Sequence, residues 1–315
     1  GETNIVADEG AADMWTSRLR NRALRTLPPG KLLPDSQPAY VASWIYVFGV
    51  GALAALAILS AGCNKLKARD NLNKGVNSFK AGQYTAAADN FKTAIDLDPD
   101  LPSARLYLAT AYMTQYVPGS EAPENKRNAD SALKEFQTAL NSNLDAKNKL
   151  IAMQSLASLY WNMKEFPLAQ EWNRKVIAAD PQNKEAYYSL GVIAWTEFVA
   201  PWREAIAAQG LKPEDPGPLH PPKKKEADLK ADLKAKYWQS LTDGIDDEKK
   251  ALQIDPDYEN AMAYMNLLIR YRAIFDDTRE QYDADMKEAD AWVQKSLETT
   301  KKKAKKKSEQ AEQTQ

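Results

Sequence analysis

An all-α fold is what the sequence predicts: helix-turn-helix hairpins stacked side by side, preceded by one transmembrane or signal-anchor helix. Three observations predict it. Ala, Leu, Lys, Glu and Asp dominate the chain, and strand-like alternation of apolar and polar residues is nearly absent. The 17 prolines outnumber the 13 glycines and cluster between segments of helical period. Near the start, Tyr40 to Ala61 runs without a single charge.

The chain is organised around Ala68 to Leu101. Gly75 and Ala87 are small, so two antiparallel helices approach there. Gly82 sits where the turn between them needs a permissive backbone. Tyr84, Phe91 and Leu97 are large enough to fill the seam, and Ala94 continues the small-residue pattern. Pro99 cannot continue the second helix and biases Asp98 away from helical dihedrals. These residues stand at the spacings of a tetratricopeptide repeat, a unit of about 34 residues, and the stretch resembles that family. The resemblance implies an α-solenoid: one hairpin cannot bury its own apolar face, so neighbours stack on it. It also implies a superhelix whose first helices line the concave face.

Further units follow. The predicted solenoid spans residues 65–298, with repeats at about 68–101, 102–145, 150–183, 184–258 and 259–297. The second unit carries Leu108, Ala109 and Tyr112, then Ala132, Phe136 and Ala139. An insert, 114–130, separates its helices, marked as a loop by Pro118, Gly119 and Pro123. The third unit keeps Leu156, Ala157, Tyr160, Phe166, Ala169 and Pro181, but Asn173 replaces the usual aromatic. The fourth opens with Tyr187, Leu190 and Gly191 and closes with Gly244, Ala251 and Pro256. Its insert, 199–236, is broken by six prolines from Pro201 to Pro222, although Trp202 to Ala208 and Lys225 to Tyr237 read as helical. The fifth has Met262, Met265 and Ile269, with Tyr282 to Leu297 as partner or capping helix. Residues 299–315, with the run Lys301 to Lys307, are predicted to be a disordered Lys-rich tail. The segments Gln115–Gly119 and Gly191–Thr196 resemble periplasmic repeat lipoproteins of the acidobacterial type, which implies location and fold rather than activity.

Residues 1–39 are polar and predicted to be partly disordered. Residues 40–62 form the anchor: at about 1.5 Å per residue the run is long enough to cross a hydrocarbon layer of about 30 Å. Tyr40, Trp44 and Tyr46 lie near its start, where amphipathic rings favour the interface. Arg18, Arg20, Arg22, Arg25 and Lys31 precede it and Lys65, Lys67 and Arg69 follow, a bias that puts the repeats on the extracytoplasmic side. The run ends Leu59-Ser60-Ala61-Gly62-Cys63, which resembles a bacterial lipobox with Cys63 as the lipidated residue. Lipoprotein and transmembrane anchors differ in whether residues 1–62 persist. Residues 27–50 also resemble the N-terminal segment of bacterial cytochrome b subunits, which implies docking beside a respiratory complex.

Composition excludes several functions. With 42 basic and 43 acidic side chains the net charge is −1, which gives no global attraction to nucleic acid. One cysteine permits no internal disulfide framework and no Cys-based zinc site. One histidine, His220 in a Pro-rich loop, argues against His-based catalysis or haem ligation. Asp96, Asp98 and Asp100 cluster but lack calcium-loop spacing. No catalytic motif, cofactor site or metal site is expected. Function then has to come from a surface. The resemblance places Phe79, Lys80, Leu106, Met113, Trp161, Asn162, Tyr188, Trp195, Arg270 and Tyr271 on the concave face. Trp, Tyr and Arg most often dominate binding energy when desolvated. The expectation is a membrane-anchored, non-catalytic adaptor holding a protein or peptide in that groove. Two alternatives stand beside it: an accessory subunit of a respiratory membrane complex, and a peptide- or glycan-binding protein with its site under the 199–236 insert.

Overall fold

The computed structural model describes residues 63–208, 210 and 224–312. The chain divides into two units, Gly1–Gly62 and Cys63–Gln315, and all described residues belong to the second. The predicted membrane span, the segment 27–50 and His220 lie outside the described residues. Among the described residues there is no strand, and no helix is long and apolar enough to cross a membrane. Cys63 is exposed at the first described position.

Ten helices occupy the described residues. They are α1 (63–80), α2 (Tyr84–Leu97), α3 (Pro102–Gln115), α4 (Pro123–Leu140) and α5 (Ala146–Asn162). Then come α6 (Phe166–Ala179), α7 (Lys184–Ala208), α8 (Lys224–Ile254), α9 (Glu259–Ala273) and α10 (Arg279–Glu312). From α2 onward each helix packs on the next, and α3 also meets α5 as α7 meets α9. The odd-numbered helices therefore share one side, here called the inner side.

Local chemistry sets the boundaries. Gly82 (φ 74°) turns the chain between α1 and α2, with its N–H on the Phe79 carbonyl and the Gln83 N–H on that of Ser78. Lys164 (φ 62°) makes the same turn between α5 and α6, with the equivalent bonds to Trp161 and Tyr160. A lysine in this left-handed region costs about 1 kcal/mol that glycine avoids. Asp98, Asp180 and Asp255 end the second helices of units one, three and four alike, each N–H donating to the carbonyl four residues earlier. Each precedes a proline, so none continues the helix. Asp145 caps α5 by accepting from the Asn148 N–H at 2.8 Å.

Three apolar clusters run along the array. The first joins Phe91, Ala87, Leu108 and Ala111. The second gathers Phe136, Leu156, Leu159 and Ile193. The last holds Phe198, Trp202, Leu241, Met265 and Phe275. Ile193 belongs to the second and Ala194 to the third, so α7 is the wall between them.

The inserts and the tail depart from expectation. The 114–130 insert narrows to 116–122, because α4 begins at Pro123, a residue suited to the first turn of a helix. Asn125 folds back on that loop, accepting from the Val117 N–H at 2.7 Å and donating to the Val117 and Ser120 carbonyls. Much of 199–236 is helix: α7 passes through Pro201 to Ala208, and α8 begins at Lys224. Burial of Phe198 before the proline and of Trp202 and Ile206 after it outweighs its missing hydrogen bond. The lysine run is helical to Glu312 rather than irregular. Its upstream turns dock on α9: Thr299 is buried, Ser296 donates to the Glu259 carbonyl and Lys303 pairs with the Glu259 carboxylate. Extending a helix already nucleated by packing costs little, and Ala and Lys are good formers.

Candidate functional site

The inner side carries a pocket of about 430 Å³ between α5 and α7, closed at one end by α9. Trp161, Tyr188 and Tyr264 supply its aromatic surface. Gln154, Ser158, Glu185 and Ser189 supply polar groups, and Asn173 reaches it from α6.

The pocket sits where the seam loses its aromatic. In the second helix of each of the first four units, a small residue is followed four places later by a seam residue. The series is Ala87 to Phe91, Ala132 to Phe136, Ala169 to Asn173 and Gly244 to Glu248. Phe91 and Phe136 are fully buried and fill the first two seams. A Cβ added to Gly75 would collide with the Phe91 ring, which shows how close that pairing is. Asn173 is also buried, but it is shorter, and its amide turns back to the Ala169 carbonyl at 2.9 Å. Space that a phenylalanine ring would occupy is left open beside Ala157, Val192 and Ile193.

Glu248 occupies the same seam position in the fourth unit. It is 0% exposed, lies against Gly191 of α7, and neither carboxylate oxygen has a hydrogen-bond partner. Burial, then the neighbouring Asp247 charge, pushes its pKa up to about 10. The group is therefore neutral at physiological pH. Asp247 itself is pushed up to about 7, mainly by burial. Burial, with the nearby Tyr264, Tyr258 and Glu248, raises the Tyr188 phenol to about 12, so it keeps its proton.

The ten expected groove residues divide. Trp161 and Tyr188 line the pocket, Trp161 tilted on Phe166 at 5.3 Å and Tyr188 edge-on to Tyr264 at 5.4 Å. Phe79 is half-buried against Tyr84 at 5.1 Å, Lys80 is exposed, and Met113 and Asn162 are partly accessible. Leu106 is 5% exposed and packs within the second cluster instead of facing a groove. Arg270 is bound to Asn266 and to Asp290 of α10, which turns its guanidinium away from a ligand. Trp195 and Tyr271 pack together at 6.5 Å, with Trp195 also edge-on to Tyr264 at 5.7 Å. Sequence reasoning missed Gln154, Ser158, Ser189, Glu185 and Tyr264. The one available signal was Asn173, which marks a missing ring.

Among the described residues the tryptophans near the 199–236 insert do not converge on one site, and residues 209 and 211–223 of the insert lie outside the described residues. Trp202 is buried and stacked on Phe198 at 6.0 Å, and Trp238 packs on Phe275 at 6.4 Å. Neither they nor Trp195 line the pocket. Among the described residues no group of three or more His, Cys, Asp or Glu is arranged to hold a metal ion.

Comparisons bear on this architecture. A family model described as TPR repeat matches residues 78–115. No curated protein matches the sequence. Among solved structures, that of MamA protein is 17% identical with a TM-score of 0.48, over 76% of this chain and 94% of that one. MamA 41-end from Desulfovibrio magneticus RS-1 is 16% identical, TM-score 0.47, over 75% and 96%. YrrB, described as a TPR protein with an unusual peptide-binding site, is 13% identical, TM-score 0.44, over 73% and 90%. Residues 78–115, which cover the end of α1, all of α2 and α3, are a tetratricopeptide repeat segment within an all-α array of helix hairpins.

Proposed function

We propose that this protein is a membrane-anchored interaction scaffold that holds an extended segment of a partner protein along its inner side and performs no chemistry of its own. The observation that carries the reading is the pocket of about 430 Å³ that α5, α7 and α9 build around Trp161, Tyr188 and Tyr264. Its volume falls in the range of small-molecule clefts, which leaves room for a side chain of a partner, and its aromatic residues are of the kind that dominate binding. Phe79, Lys80, Met113 and Asn162 lie on other odd-numbered helices or at the end of α5, and would extend the contact along the chain of the partner.

Trp161→Ala and Tyr188→Ala should each weaken capture of a partner by about 1–3 kcal/mol, a factor of roughly 5 to 150. Both side chains are only half-buried, so helical circular dichroism should be unchanged. Equal capture by wild type and both variants would move the working surface elsewhere.

Anchoring rests on the uncharged run Tyr40–Ala61 and on the small residues before Cys63. The excess of basic residues ahead of the run supports an extracytoplasmic array, in a bacterial periplasm. Intact-mass measurement of membrane-extracted protein should find either the whole chain or a chain starting at Cys63 with a diacylglyceryl group. An unlipidated protein recovered wholly in the soluble fraction would refute the tether.

A further inference from the structure

Resting on the reading of the pocket as a partner site, we infer that the pocket takes a basic side chain, lysine or arginine, presented by an extended stretch of a partner protein. Charge decides this. Among the described residues no Lys, Arg or His lines the pocket, and Glu185 is the one charged residue that does. The Glu185 side chain is 62% exposed, so its carboxylate is available. Lys184 lies beside it at 3.9 Å, but that ammonium is already committed. It donates to Asp255 at 2.5 Å and sits over the Tyr258 ring at 4.6 Å. Glu185 thus keeps a long ion-pair contact to an ammonium that Asp255 holds more closely.

The remaining surface agrees in sign. Trp161, Tyr188 and Tyr264 offer aromatic groups whose π-faces attract cations. Gln154, Ser158 and Ser189 add neutral oxygens that accept from an ammonium or guanidinium. A carboxylate or phosphate placed here would lose its hydration and lie near Glu185, with no cation among the described lining residues. An acidic side chain or a free chain terminus is therefore the wrong ligand. The aliphatic stem of lysine or arginine suits the apolar floor at Ala157, Val192 and Ile193 while the charged head reaches the rim.

The test uses the 315-residue chain in detergent and an array of capped nonapeptides with one fixed central residue and randomised flanks. Arrays centred on Arg or Lys should retain at least about tenfold more protein than arrays centred on Glu, Leu or acetyl-lysine. Glu185→Lys should remove that preference, and its exposed position makes the fold a bystander. Trp161→Ala should lower retention on the basic arrays by about tenfold. A preference for neutral or acidic centres, or a basic preference that survives Glu185→Lys, overturns the inference. If Trp161→Ala still loses retention in that case, the partner-site reading stands without it. Retention that Trp161→Ala leaves unchanged, or no retention on any array, overturns both.

Discussion

Replacing Glu248 by methionine should make the repeat array more stable at pH 8 and should remove most of its loss of stability with rising pH. In the unfolded chain this glutamate titrates near 4.5; in the fold burial holds its pKa at about 10. Below pH 4.5 both states carry the proton, and the group makes no pH-dependent contribution. Above it the unfolded chain ionises and the folded chain does not, so each pH unit lowers stability by about 1.4 kcal/mol until the folded pKa is reached. Between pH 4.5 and 7 the loss amounts to about 3 kcal/mol from this one side chain. Methionine fills a similar volume, carries no ionisable group and ends the lack of hydrogen-bond partners at both carboxylate oxygens. Urea unfolding followed by helical circular dichroism from pH 5 to 9 measures it. The slope that remains below pH 7 comes in part from Asp247, whose raised pKa acts in the same sense. Wild-type stability that is flat or rising from pH 5 to 8 would mean that Glu248 is hydrated or paired in solution.

Phe198→Ala should cost about 3–5 kcal/mol, in the range of a large ring removed from a closed core. Phe198 is 0% exposed and packs on Tyr237 of α8 at 5.3 Å, on Tyr271 and Phe275 at 5.6 Å, and on Trp202 at 6.0 Å. It ties the long hairpin of α7 and α8 to the end of α9. Hydrogen exchange should quicken at the far ends of that hairpin, near Trp202 and Leu233, and leave α2 to α4 unchanged, because neighbouring hairpins share contacts only locally. A cost under about 1 kcal/mol would show that the long hairpin is an appendage not coupled to α9.

The hairpins were legible because their determinants are local. Gly82 and Pro99 each act on the backbone within a few residues, and the small-then-large spacing of Ala87 to Phe91 and Ala132 to Phe136 repeats in α2 and α4. Pro201 illustrates the limit of the same rules. Read locally, it ends a helix; in the fold, Phe198, Trp202 and Ile206 find partners on α8 and the helix continues. The lysine run behaves likewise, since Lys303 and Thr299 have partners on α9 that no composition rule reveals. Leu106 and Arg270 stand at groove spacings, yet one is drawn into the seam and the other is claimed by Asp290.

By itself the sequence determined the helical class and the small-residue contact that lets the first hairpin close. It also named Trp161 and Tyr188, and it marked Asn173 as a departure. Only the tertiary structure decided that the space left by the missing ring stays open, that Tyr264 from another hairpin borders it, and that Lys184 bonds more closely to Asp255 than to Glu185. Backbone turns answer to neighbours in the chain. A cavity and its charge answer to volumes and partners contributed by helices far apart in sequence, and those sums exist only once the hairpins have stacked.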